Sequence, residues 1–168
     1  MNTITIQQAL TPVVGLPLRC IGRAANMLWL HFGEMRTVSA HGEGTKTVGQ
    51  WAIHVQCPWR ICRLGPIVVA YHDYYYSPEG DALEDWDSPG KSRFDSMALG
   101  LCSEFETRPP AVASVQPDYV GGFSLHFVTD YRLDVFPADS DDSSEHWRVF
   151  QPGDTSKHYV FREHEDVV

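Results

Sequence analysis

WAIHVQCPWRIC, residues 51–62, decides how the rest of the chain is read, because it sets a His, two Cys and two Trp within twelve positions. Strand parity sorts them: Trp51, Ile53, Val55, Cys57, Trp59 and Ile61 are odd, whereas His54, Gln56, Arg60 and Cys62 are even. The odd set is apolar and predicts the core face of one strand over 51–61. Cys57 and Cys62 then point to opposite sides, so a thiol or metal centre would need Pro58 to break or bulge the strand. The even residues His54, Gln56 and Arg60 are left on the outer face, where neighbouring strands add His31 and His72. Histidines titrate near neutral pH, so these five form a candidate ligand-binding face, set against the plainer alternative of a solvated sheet surface.

Outward from this stretch, MLWLHF (27–32) and GPIVVAYHDYYY (65–76) are rich in β-branched and aromatic residues and read as strands, with HGEGTKTVG (41–49) as a mobile loop. Ile6, Ala9, Leu10 and Val13 recur at helical spacing, a short helix that Pro12 distorts. A stronger helix is expected over about 92–106, where Ser92 and Asp95 form a capping box and Phe94, Met97, Ala98, Leu101 and Phe105 follow in phase. Pro109 and Pro110 stop it. AVASVQP, GGFSLHFV, YRLDVFP, WRVFQP and HYVFR then read as short strands. Within 123–136 a three-residue loop, Val128 to Asp130, pairs Phe127 with Tyr131, Leu125 with Leu133 and Phe123 with Val135 on one face. That register puts His126 opposite Arg132 and Ser124 opposite Asp134 on the other face.

A chain of 168 residues fits a single domain over 1–168 and can bury roughly 70% of its unfolded surface without staples. The four cysteines, 20, 57, 62 and 102, show no CxxC pair and no zinc cadence, so free thiols are expected, with no metal and no cofactor. The N-terminus lacks a basic leader and a long apolar core, and no apolar run is long enough for a membrane span, which predicts a cytoplasmic protein. A formal charge of −9 repels phosphate backbones and disfavours nucleic acid, while favouring encounter with a basic partner.

PGKS (89–92) carries the tail of a phosphate loop but follows the acidic EDWD and opens a capped helix, so it is a turn with an N-cap. The acidic tracts SPEGDALEDWDSP (77–89) and ADSDDSSEHW (138–147) can be solvated loops. In the alternative reading, Asp81, Glu84, Asp85 and Asp87 steer a basic partner and Trp86 supplies an anchor.

GLPLRCIGRAANMLWLHFG (15–33), VGQWAIHVQCPWRI (48–61) and YRLDVFPADSDDSSEHWRVFQPG (131–153) with HYVF resemble a group of small uncharacterised bacterial proteins of actinomycete type, a resemblance that implies no activity. The ending, L-x-V-F-P, then E-x-W-R-x-F and H-Y-V-F, is also similar in style to immunity proteins of polymorphic toxin systems. That similarity implies a small, acidic, cytosolic α+β protein that binds and blocks a toxin, and it carries over no binding residues. Together these readings predict an α+β domain, a largely antiparallel sheet of roughly seven or eight strands with two helices packed on it. The leading functional expectation is a non-enzymatic binding protein. The alternative is a small-molecule binder or enzyme with a His-containing pocket on the sheet face.

Overall fold

The structure is a computed structural model and describes residues 3–39, 44–140, 144–154 and 158–162. The chain forms α1 (Thr3–Leu10), β1 (Leu18–Ala24), β2 (Met27–Ser39), β3 (Thr45–Val55), β4 (Trp59–Arg63), β5 (Ile67–Ala70), α2 (Arg93–Thr107), β6 (Val112–Pro117), β7 (Phe123–Phe127), β8 (Tyr131–Val135), β9 (Glu145–Phe150) and β10 (His158–Arg162). Short 3₁₀ turns follow α1 and β5, at Thr11–Val13 and Tyr71–Tyr74. The α+β class and the antiparallel pairing hold. The strands, however, form two five-stranded sheets, ordered β1-β2-β3-β9-β10 and β5-β4-β8-β7-β6, rather than one sheet of seven or eight.

The division falls inside the opening stretch. Residues 51–61 are not one strand: β3 ends at Val55 in the first sheet and β4 starts at Trp59 in the second. At the corner between them the Gln56 and Cys57 N–H groups both donate to the His146 carbonyl, and the Phe136 N–H donates to the Pro58 carbonyl. Proline has no N–H to offer a ladder, so the strand can leave one sheet there without orphaning a donor. Parity nevertheless survives the corner: Ile53, Val55, Cys57, Trp59 and Ile61 are all buried. A strand that bends between two packed sheets keeps its inner face toward the shared core, so alternation cannot reveal the change of sheet.

That core is continuous. Leu28, Leu30, Ile53, Val55, Trp147 and Val149 from the first sheet meet Ile61, Phe123, Leu125 and Leu133 from the second, and the Phe123 and Trp147 rings cross edge to face at 4.9 Å. The β7–β8 hairpin has the expected register, Phe123 opposite Val135, Leu125 opposite Leu133, Ser124 opposite Asp134 and His126 opposite Arg132. Helix α2 also has its expected start: the Asp95 N–H donates to Ser92 Oγ at 3.2 Å and the Ser92 N–H returns to Asp95 Oδ2 at 3.1 Å. Its buried residues are Phe94, Ala98, Leu101 and Phe105.

One further strand is found and three other expectations are corrected. Strand β1 was not expected from the sequence; a register shift between Leu18 and Cys20 spoils its alternation. The expected loop over 41–49 gives way to β3 from Thr45, with 41–43 outside the described residues. The expected strand over 65–76 ends at Ala70, where the chain enters the 3₁₀ turn. Cys20 and Cys102, expected as free thiols, form a disulfide with Cα atoms 4.9 Å apart, while Cys57 and Cys62 are free and buried. The disulfide fastens α2 to the outer edge of β1, where the Ile21 N–H also meets Cys102 Sγ at 3.3 Å. The helix thereby covers an edge that would otherwise expose unpaired backbone groups.

A cross-link between residues separated by 82 positions restricts the unfolded chain. Reduction, or Cys102→Ser, should lower unfolding free energy by about 4 kcal/mol in urea titrations. Equal midpoints for oxidised and reduced protein would contradict this.

Candidate partner-binding surface

Residues 77–91 carry the expected acidic site, and their backbone is pinned rather than loose. The Ser77 N–H donates to the Asp81 carbonyl at 2.8 Å, Leu83 N–H to Tyr75 at 2.9 Å, Ser88 N–H to Asp85 at 3.0 Å and Arg93 N–H to Tyr76 at 2.7 Å. A bridge pairs Tyr76 with Ala82. Asp81, Glu84, Asp85 and Asp87 are all exposed on this frame. Lys91 forms an ion pair with Asp85, and its hydrogen bond holds that carboxyl below the usual carboxylate range.

The frame is closed from beneath by Arg23 of β1. Its Nε and Nη2 donate to the two Asp95 oxygens at 2.7 Å each, and Nη2 also reaches the Ser88 carbonyl at 3.1 Å. Asp95 in addition accepts from the Gly90 N–H at 3.0 Å and from Ser92 Oγ at 2.9 Å. One buried guanidinium thus joins the edge strand, the cap of α2 and the end of the acidic loop. A planar fork suits this task because it satisfies a carboxylate and a carbonyl at once.

Trp86 is half-buried and packs edge to face on Tyr75 at 5.0 Å. Tyr75 lies 6.1 Å from Tyr71, their hydroxyls 3.4 Å apart. This aromatic row leads from the loop to a corner cavity of about 410 Å³, lined by Gln56, Pro58, Tyr71, Asp139, Ser144 and Glu145 among others. Burial, with the neighbouring Tyr71 hydroxyl, pushes the Tyr75 phenol up to about 12. The row brings the second acidic tract near the first. The sequence pattern does not show this row, because 71–75 reads as strand, where alternate residues face apart. Asp141 and Asp142 of that tract lie outside the described residues.

The expected ligand-binding set is not brought together. His31 and His54 lie on the outer face of the first sheet, in the paired rows His31–Ala52–Phe150 and Trp29–His54–Arg148. There Trp29 stacks on His31 at 4.8 Å and His54 meets Phe150 edge-on at 4.7 Å. The Trp29 indole presses on Gly22, where a Cβ would come within 2.0 Å of it. Gln56 is at the corner, Arg60 is on the outer face of the second sheet opposite Asp134, and His72 is exposed in the 3₁₀ turn. The two outer faces of packed sheets look away from each other, so His54 and Arg60 diverge although both are even. Burial raises the Cys57 thiol to about 12, which keeps it protonated at neutral pH. Among the described residues no three of His, Cys, Asp and Glu gather as metal ligands.

The chain matches no protein-family model, no curated protein and no solved structure.

Two pH dependences follow from this geometry. Burial opposes the Asp95 charge, but Arg23 and Ser92 outweigh it and hold the carboxyl at about 2. The unfolded group titrates near ~4, so the stabilisation is complete above that pH and is lost as pH falls through about 2. Asp95→Asn should cost about 2 kcal/mol at pH 7 in urea titrations, and an unchanged urea midpoint would contradict it. Burial also lowers His31 and His54 to about 4, helped by Lys46 and Arg148 respectively. The unfolded rings take up protons first, so their contribution to stability declines as pH falls from ~6.5 towards ~4. NMR titration should place both ring midpoints near 4; midpoints above 6 would exclude the desolvated packing.

Proposed function

We propose that the chain is a non-enzymatic binding protein, of the immunity or inhibitor kind, that engages a basic protein partner through the acidic loop 77–91. The observation that carries this reading is the backbone pinning of that loop by Arg23, Asp95 and the Tyr75–Tyr76 carbonyls. A loop already ordered before it meets its partner loses little conformational freedom on binding, so its carboxylates act at fixed positions. Charge of one sign on a fixed surface speeds encounter with an oppositely charged protein and fixes its orientation. The same charge weighs against nucleic acid as the partner.

No helix among the described residues is long and apolar enough to cross a membrane. A cytoplasmic setting fits an immunity role, yet the Cys20–Cys102 pairing favours an oxidising compartment, because cytosolic reductants keep thiols reduced. Alkylating acid-quenched cells separates these settings: two blocked cysteines mark the oxidised form and four the reduced.

The partner should be retained from an extract of the source cell by the wild-type chain and released by moderate salt. Asp85→Lys combined with Trp86→Ala should reduce its retention about ten-fold or more, as surface charge reversal with loss of an aromatic anchor does. A partner held equally by both proteins would exclude the loop as the binding surface.

A further inference from the structure

We infer that the outer face of the second sheet holds an oxyanion-binding site, built from Arg60 and Arg132 and fitted to a phosphate-type dianion. Asp134, only 8% exposed, sits between the two arginines. It accepts from Arg60 Nε at 2.9 Å and from Ser124 Oγ at 2.8 Å. Arg132 approaches by its own Nε, 2.9 Å from Asp134 Oδ1. The register that places these groups together runs Arg60 opposite Asp134 on β4 and β8, with Ser124 opposite Asp134 on β7.

Two features give this cluster unused binding capacity. Each guanidinium carries five N–H donors, and both turn the Nε side to Asp134, which leaves the terminal nitrogens for another acceptor. Two guanidiniums around one carboxylate also leave a positive surplus on a chain whose formal charge is −9.

The side chains are accessible, 43% exposed for Arg60 and 42% for Arg132. Arg60 is steadied over the Phe136 ring at 5.7 Å, so its plane is set before any ligand arrives. Planar forks bind tetrahedral oxyanions through paired N–H contacts, and a second negative charge answers the surplus better than a single one. The site is distinct from the acidic loop and stands or falls apart from the partner reading.

The test is a titration of the isotopically labelled chain with inorganic phosphate at low ionic strength, following the arginine Nε–H signals by NMR. Arg60 and Arg132 should shift saturably, while Arg23, whose side chain is 5% exposed against Asp95, should stay still. Arg132→Gln should weaken phosphate about ten-fold or more, and Arg60→Lys, which keeps charge but lacks the fork, about three-fold or more. Acetate, planar and singly charged, should bind about ten-fold more weakly than phosphate. Unchanged Leu125 and Leu133 amide shifts would show that the β7–β8 register persists in each variant; should Arg132→Gln fail to fold, Arg60→Lys decides alone. A linear response without saturation, equal affinity in the variants, or acetate binding as well as phosphate would overturn the assignment.

Discussion

The turn at Gln56–Pro58 is the constraint from which the rest of the architecture follows. Two N–H groups converge there on the His146 carbonyl, and the Pro58 carbonyl takes the Phe136 N–H, so the β3–β4 and β8–β9 passages are hydrogen-bonded to each other. One polar corner serves both crossings, so the chain changes sheets twice with these backbone groups paired. The odd residues of 53–61 stay inside on both sides of it, and the even ones are sent to two surfaces facing opposite ways.

The second organising contact is the Arg23–Asp95 pair. The edge of β1 would be exposed without α2, and the Ser92 cap of α2 would lose its return bond without the Asp95 carboxylate. Because the same guanidinium also holds the Ser88 carbonyl, the end of the acidic loop is tied to the edge strand and the helix cap as well as by its own turns. Its carboxylates stand outside a frame whose fixed points lie beneath them. Acidic surface and structural staple are therefore one unit, and the stability of the fold bears on the shape of the proposed binding surface.

What was legible in the sequence was local. The Ser92–Asp95 cap and the β7–β8 register both depend on residues a few positions apart, and both appear as expected. What was not legible depends on contacts between distant segments. Alternation is the same whether Trp51 and Trp59 share a sheet or not, so it could not divide the strand. LRCIGRA hides its strand character behind a register shift, and without β1 in place nothing connects Cys20 to Cys102 across 82 positions. The candidate ligand set failed as a cluster for the same reason: His54 and Arg60 share parity but not a sheet. The acidic residues were visible as composition, whereas the bonds from Arg23 and Asp95 that tie down the end of the loop arise only after the helix and edge strand have met.

The fixed character of the acidic loop is the claim on which the functional account rests most heavily, and native-state amide hydrogen exchange tests it directly. The Ser77, Leu83, Ser88 and Gly90 amides each have an acceptor in the structure. Their protection should approach that of the α2 amides in the wild-type chain and fall selectively in Arg23→Ala. Exchange of these four amides at the rate of an open chain, with α2 still protected, would contradict the account.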